Sequence, residues 1–175
     1  MIESSTCSNG VKLVIGLFGG ALPLIEKAKG NLERKFGKVD YESSSLSFTK
    51  TDYYQTEMGK NLKRKFYAFK NLVPPELLPD IKVFTNHLEK KLAGRAGNRR
   101  VNIDPGYLSL AKFVLATTKD YSHRLYLKQG IYAEVTLSFK DGSFRAREWT
   151  YPDYCQKEYI EIFNQIRKMY KEQIS

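Results

Sequence analysis

Histidine is the side chain best suited to moving a proton at neutral pH, and this chain has only two of them. His123 lies in the C-terminal half, in polar segments that also contain Asp104 and Asp153. An imidazole oriented by a carboxylate could act as an acid or a base on a bound substrate. We therefore name His123, Asp104 and Asp153 as candidate catalytic residues of an enzyme acting on an anionic small molecule. Both aspartates adjoin a proline, so they are also typical of turns.

Arg64 is the charged residue with the most unusual predicted surroundings. Residues 62–69 alternate as a strand, and in that pattern Arg64 shares its face with Leu62 and Phe66. A buried arginine without a partner is costly. Arg64 is therefore predicted either to pair with an acidic residue or to point into a cavity. We name Arg64, together with Lys119, as a candidate anion-binding residue.

The chain has no motif with the spacing of a metal site. The two cysteines, Cys7 and Cys155, lie near opposite ends, form no zinc-ligand pattern and are expected to be free thiols. Carboxylates could hold a cation such as Mg²⁺, which prefers oxygen ligands. No two of them have a diagnostic spacing, so no metal ligand is predicted, and Mg²⁺ stays open as a cofactor. The carboxylates concerned are Asp52, Glu57, Asp104, Asp120 and Asp153.

A second candidate site comes from the strands near the C-terminus. In residues 131–139 the odd positions are apolar and the even positions are polar or aromatic. Asp141-Gly142 indicates a two-residue hairpin turn. The strand that follows is predicted to extend to Arg147 and Trp149, opposite the even positions of its partner.

The preceding hairpin is predicted around residues 128–130. A three-residue loop pairs Leu127 with Ile131 and keeps apolar residues together, whereas a two-residue loop would mix the two faces. The opposite face then carries charged and aromatic side chains, which we name as candidate ligand-binding residues: Arg124, Tyr126, Tyr132, Glu134, Arg145, Arg147 and Trp149.

Such a face could bind a phosphate-bearing partner. Aromatic rings stack on bases and arginines hold phosphates, so a nucleotide or an RNA is the predicted ligand. In one alternative a helix covers the face, and Arg124 and Glu134 form a structural pair. In another the aromatic side chains form the protein interface of a scaffold. The oligomeric state is not predicted.

The elements that position these residues indicate one α+β domain at residues 11–175, after a disordered tail at residues 1–10. A largely antiparallel sheet of about six or seven strands is predicted, with three helices packed on it. The helices are recognised by apolar residues at intervals of three and four, and the last spans roughly residues 158–173.

Two segments near the centre of the chain are harder to assign. Asp104-Pro105-Gly106 is predicted as a turn. Residues 108–118 are apolar and β-branched enough for a strand, although a helix beginning at Pro105 is an alternative.

Composition points to a basic, aromatic-rich globule. Lys and Arg number 29 against 19 Asp and Glu, which gives a net charge of +10, and there are 12 Tyr and 10 Phe. A basic surface favours polyanionic partners. The first ten residues lack the features of a secretory signal, and the apolar stretch at residues 11–25 is too short to span a bilayer. A cytoplasmic location without a membrane partner is expected.

Several distinctive motifs occur in an order that resembles the prokaryotic domain-of-unknown-function 4416 family. The likeness covers nearly the whole chain after residue 10, and it implies a single cytoplasmic domain without an established role. The motifs are Tyr53-Tyr54 with Glu57-Met58-Gly59, Asn102-Ile103-Asp104-Pro105-Gly106-Tyr107, Ala116-Thr117-Thr118-Lys119-Asp120, His123-Arg124, residues 132–137 and Trp149-Thr150-Tyr151-Pro152-Asp153-Tyr154.

Members of that family sometimes carry a GTP-binding label, which the motifs of this chain do not support. A P-loop needs Gly-x-x-x-x-Gly-Lys-Ser/Thr, and the turn at residues 16–20 has no following Lys-Ser/Thr. The guanine-reading Asn/Thr-Lys-x-Asp pattern is also missing, because Lys119 and Asp120 are adjacent. Nucleotide binding would therefore require another architecture.

Overall fold

A computed structural model describes residues 10–48, 58 and 61–175. Most of the predicted N-terminal tail, Cys7, Asp52 and Glu57 lie outside the described residues. The described strands and helices, in chain order, are β1 Val11–Gly19, α1 Leu22–Phe36, β2 Val39–Glu42, β3 Leu46–Ser47, β4 Lys63–Val73, α2 Leu78–Lys91, β5 Val101–Leu108, β6 Lys112–Thr117, β7 Leu125–Lys128, β8 Ile131–Lys140, β9 Ser143–Ala146 and α3 Lys157–Gln173, with a 3-10 turn at Pro75–Leu77 before α2.

The strands form one sheet in the order β2-β4-β1-β5-β6-β8-β7, with β3 beside β4 and β9 beside β8. Every pairing described is antiparallel, so the α+β class predicted from the sequence is confirmed. The central strand β1 is buried along its whole length. It therefore carries side chains into both layers of the core, as a strand covered on both faces must.

Helices cover the sheet on both faces. On one face α1 and α2 pack on β1, β4 and β5 through a cluster that includes Ile15, Ile25 and Leu88. On the other face α3 packs through a cluster that includes Phe66 and Phe163. No helix among the described residues is long and apolar enough to cross a membrane.

The tripeptide Asp104-Pro105-Gly106 is part of β5 and not the predicted turn. Pro105 lies opposite Ile15 of β1, and pairing with β6 begins only at Gly106. Glycine is needed there because a Cβ on Gly106 would lie 2.5 Å from the carbonyl oxygen of Val114. The turn falls instead at residues 109–111, so the strand predicted at 108–118 is shorter and the helix alternative is wrong.

A β-bulge in β8 divides the face that the sequence predicts to be continuous. Phe113 of β6 pairs with Leu137, whereas the next residue, Val114, pairs with Val135, so Thr136 is an extra residue. An extra residue reverses the faces of the positions that follow it. Leu137 accordingly packs under α3 while Val135 packs under α2.

The bulge corrects the placement of Arg145. Arg145 pairs with Ser138, which lies beyond the bulge and therefore on the other face from Glu134. The predicted common face for Arg124, Glu134 and Arg145 is wrong for Arg145.

Both hairpin turns form, but each differs from its prediction in one detail. Asp141 and Gly142 have φ values of 50° and 80° and set Lys140 opposite Ser143 as expected. The strand β9 ends at Ala146, so Arg147 and Trp149 do not pair with β8 as predicted.

In the preceding hairpin Tyr126 pairs with Tyr132 as predicted, but Lys128, not Leu127, pairs with Ile131. Gln129 and Gly130 both have positive φ and form a two-residue turn. The register shifts at Leu127, so Leu125 still pairs with Ala133 and Tyr126 with Tyr132, as predicted.

Candidate ligand-binding cleft

The sheet opens into a cleft where β5 and β6 stop pairing. Their pairing covers Gly106–Leu108 and Phe113–Leu115, so the first half of β5 has no partner on that side among the described residues. The cleft has a volume of about 770 Å³. Its lining comes from β4, α2, β5 and the segment before it, β6 and the segment after it, β8, and the turn before α3. Polar and aromatic members of the lining include Arg64, Lys82, Glu89, Lys90, Arg99, Asn102, Asp104, Lys119, Tyr121, Arg124, Glu134, Tyr151 and Asp153.

Arg64 of β4 forms the floor of the cleft and is 3% exposed. Its Nη1 donates a hydrogen bond to Asp153, and its Nη2 lies 3.7 Å from Asp104 Oδ2. The guanidinium is also held against aromatic rings, with its Cζ 4.7 Å and 4.4 Å from the ring centroids of Phe18 and Phe48. The sequence prediction of a buried arginine with an acidic partner is therefore confirmed.

The electrostatics around Arg64 keep it charged. Burial by itself disfavours the charged guanidinium. The opposing influences of Tyr154, Asp153, Tyr159 and Asp104 together outweigh burial, so the pKa of Arg64 lies above its ordinary value. The floor of the cleft is consequently a permanent cation.

The helix α2 supplies a second cation and a carboxyl group from the opposite wall. Lys82 Nζ donates to the carbonyl of Ile103 at 3.2 Å and lies 3.7 Å from Asp104 Oδ1. Glu89, seven residues later on the helix and so on the same side, accepts a hydrogen bond from the Ile103 amide at 2.6 Å. Burial raises the pKa of Glu89 to about 7, although Lys82 acts in the other direction.

Asp104 is more exposed than the other two carboxyl groups near Arg64 and Lys82, Asp153 and Glu89. Its side chain is 28% exposed and lies between Arg64 and Lys82. Neither cation is within hydrogen-bond distance, and no other side chain or backbone group in the described part of the chain hydrogen-bonds to this carboxylate. Its oxygens are therefore able to accept a hydrogen bond from a ligand or a water molecule.

Arg124 forms the far wall, and each nitrogen of its guanidinium donates a hydrogen bond. Nε donates to Glu134 at 2.8 Å, Nη1 to the carbonyl of Lys119 at 3.0 Å, and Nη2 to the Tyr151 hydroxyl at 3.1 Å. Its Cζ lies 4.4 Å from the ring centroid of Tyr121. The structural Arg124–Glu134 pair that was an alternative in the sequence is present, and it organises the cleft rim.

Six of the residues named from the sequence come together in the cleft. They are drawn from five separate parts of the chain and comprise Arg64, Asp104, Lys119, Arg124, Glu134 and Asp153.

The other candidate residues lie outside the lining. His123 contacts Glu134 rather than Asp104, with Nε2 3.0 Å from Oε2, and stacks on Trp149 at 5.2 Å. Arg147 lies over the Trp149 ring. Three more lie apart from this stack: Tyr126 packs edge-on against Tyr132 on the sheet edge, and Arg145 hydrogen-bonds at the β8–β9 hairpin.

Sequence reasoning missed the contributions of Lys82, Glu89, Tyr121 and Tyr151. One signal was available in α2, because Lys82 and Glu89 each follow an apolar position of its buried stripe, Ile81 and Leu88. Charged residues so close to a buried stripe are either paired or functional. The two tyrosines carry no comparable pattern.

No group of three His, Cys, Asp or Glu side chains with the geometry of a metal site occurs in the part of the chain that the structure describes. Cys155 is an exposed free thiol, in agreement with the sequence prediction.

Comparison with known proteins gives one match. The model of a family described as a domain of unknown function (DUF4416) matches residues 9–170. No curated protein and no solved structure matches the chain. The match covers all of the described strands and the residues that line the cleft.

Proposed function

The chain belongs to the DUF4416 family, whose description names no activity, and we propose that its cleft binds a phosphate-bearing small molecule of nucleotide size. The observation that carries this proposal is the convergence of cations on a recessed cavity. Among the described residues, six cationic and four acidic side chains line the cleft, namely Arg64, Lys82, Lys90, Arg99, Lys119 and Arg124 against Glu89, Asp104, Glu134 and Asp153.

The recessed position of these charges favours a phosphate over a more weakly charged ligand. Charge interactions strengthen where water is partly excluded, and Arg64 and Lys82 both lie in the buried part of the cleft. A ligand phosphate would gain from this positive potential. The more open Lys119 and Arg99 lie where a second part of the same ligand could be contacted.

The size and rim of the cleft favour a nucleotide over an RNA strand. A volume of about 770 Å³ lies in the range of small-molecule sites, which is roughly 300–1,000 Å³. Tyr121 and Tyr151 line the cleft and remain 51% and 46% exposed, so aromatic surface at the rim is accessible to a ligand base. Tyr121 already stacks with Arg124 and His123, so Tyr151 is the ring we propose for this contact. A single-stranded RNA needs a continuous cationic and aromatic track, and the bulge at Thr136 interrupts the track predicted from the sequence.

Calorimetric titration with AMP, GMP, ribose 5-phosphate and inorganic phosphate tests the proposal. Lys119→Ala and Arg99→Ala should each weaken nucleotide binding by roughly tenfold, the effect of a charge-assisted contact of ~1.4 kcal/mol. Arg145→Ala is the matched control, because it removes the same charge at the β8–β9 hairpin, outside the cleft lining, and should leave binding unchanged.

Two results would contradict the proposal. One is an absence of binding to all four compounds. The other is binding of an RNA oligonucleotide that Arg145→Ala weakens and Lys119→Ala does not. That result would indicate that the ligand binds at the β8–β9 strands and not in the cleft.

A further inference from the structure

Two carboxyl groups reach the cleft on either side of one lysine. Lys82 Nζ lies 3.7 Å from Asp104 Oδ1 and donates to the carbonyl of Ile103, whose amide donates to Glu89 Oε1. Asp104 and Glu89 are therefore tied to the same peptide segment of β5 and face the same cavity. Among the described residues, neither carboxylate has a cation within hydrogen-bond distance.

The two carboxyl groups have different surroundings. Asp104 is 28% exposed and lies between two cations, whereas Glu89 is 8% exposed and accepts one backbone hydrogen bond. Burial raises the pKa of Glu89 to about 7, so a large fraction of it carries a proton at neutral pH. Two carboxyls set apart in this way can divide the roles of base and acid.

We propose that Asp104 and Glu89 act as general base and general acid in hydrolysing the N-glycosidic bond of a bound nucleoside monophosphate. The inference rests on the nucleotide-binding function proposed above. The oxygen of a water molecule forms a bond to C1′ of the sugar, and Asp104 accepts the proton that this water loses. The C1′–N bond breaks, its electron pair goes to the base nitrogen, and Glu89 gives that nitrogen its proton. The products are ribose phosphate and the free nucleobase.

The chemistry of the cleft favours this bond over the phosphate ester. Cleavage of a glycosidic bond uses one protonated and one ionised carboxyl group. Phosphoryl transfer depends chiefly on charges that surround the transferred phosphorus. In the cleft the more open cations Arg99 and Lys119 would instead hold the phosphate and so orient the sugar, because Asp104 already lies between Arg64 and Lys82.

His123 does not fit the role predicted for it from the sequence. Its Nε2 is 3.0 Å from Glu134 Oε2, and its ring is stacked on Trp149. It does not line the cleft, so Asp104 and Glu89 replace the pair of His123 and Asp104.

The test is chromatographic detection of free base after incubation with AMP, GMP, CMP and UMP, with binding measured in parallel. Release should fall at least 100-fold in Asp104→Asn and in Glu89→Gln while nucleotide binding persists. Glu89→Gln keeps an acceptor for the Ile103 amide, so it remains informative even if Asp104→Asn does not fold. Asp141→Asn is the control, because it neutralises an exposed carboxyl in the β8–β9 turn, where Asn is also favoured.

A pH profile distinguishes proton donation by Glu89 from a structural role. Turnover should decline as pH rises through about 7, where Glu89 loses its proton. The charged groups facing Glu89 are Lys82 on its own helix, Asp104 on β5, and Arg99 in the segment before β5. Glu89→Gln should remove this decline from whatever activity is left.

The two proposals fail in different ways. Nucleotide binding without release of base from any of the four nucleotides overturns the hydrolysis and leaves the binding function. Release that is unchanged in Glu89→Gln also overturns it. Failure of all four nucleotides to bind overturns both.

Discussion

Arg64 and Asp153 lie 89 positions apart in the chain and meet at the cleft floor, where Arg64 Nη1 donates a hydrogen bond to Asp153 Oδ2. The bond fixes the turn before α3 against the centre of the sheet, and both side chains are at most 10% exposed. Asp153 was a candidate catalytic residue in the sequence. Its partner makes it a residue that positions the cleft floor.

Asp153→Ala should destabilise the fold by about 3–5 kcal/mol, because it leaves the Arg64 cation buried with Asp104, at 3.7 Å, as the nearest acidic partner among the described residues. Equilibrium unfolding in urea measures the change. Asp141→Asn, which removes an exposed charge at a position of positive φ that asparagine also tolerates, is the control and should cost much less. A loss below about 1 kcal/mol for Asp153→Ala would show that the pair contributes little.

Gly106→Ala should destabilise the sheet where the cleft begins. A Cβ there would approach the Val114 carbonyl oxygen to 2.5 Å and the Phe113 ring to 2.8 Å. Overpacking of this kind costs roughly 1–3 kcal/mol. Gly30→Ala provides the opposite case, since no atom lies within 4 Å of its Cβ position and alanine is favoured in a helix by about 1 kcal/mol. In thermal unfolding the midpoint should fall for Gly106→Ala and rise for Gly30→Ala. Shifts of the same sign and size would contradict the packing argument.

The burial of Glu89 should make stability depend on pH. Its pKa is raised from 4.5 to about 7 on folding, so the folded state binds this proton more tightly than the unfolded state. The stabilising contribution is complete below about pH 4.5 and is lost as pH rises through about 7. Between these two values the loss is about 1.4 kcal/mol for each pH unit. Unfolding free energies of Glu89→Gln measured from pH 4.5 to 8 should lack this loss, and parallel curves for the variant and the original chain would contradict the prediction.

Ligand affinity should follow the same ionisation. Above about pH 7 Glu89 adds a negative charge to the cleft, which opposes a bound phosphate. Affinity for AMP should therefore fall several-fold between pH 6 and 8, and Glu89→Gln should reduce that fall. Because the ligand phosphate titrates in the same interval, the difference between the two proteins is the quantity to compare. If the affinity of the variant and of the original chain falls equally with pH, Glu89 does not lie near the bound phosphate and the prediction is contradicted.

Much of the local structure was evident from residue patterns. Apolar residues at intervals of three and four predict α1, α2 and α3, and Asp141-Gly142 predicts the β8–β9 turn and its register. These features depend on backbone stereochemistry and on which side of one element is apolar. The apolar neighbours of Arg64 on its strand face likewise predicted either an acidic partner or a cavity, and the structure has both, since Asp153 is the partner of Arg64 and Arg64 also lines the cleft.

Tertiary packing decided the location of the site. The bulge at Thr136 moves Arg145 to the other face, and the end of β5–β6 pairing at Gly106 opens the cleft. Lys82 and Glu89 enter it from a helix on the opposite side of the sheet from α3. None of this follows from alternation along one strand, because register and strand separation depend on contacts between residues far apart in the chain. Local patterns therefore determined which faces are apolar, and only the packed sheet determined which charged side chains meet.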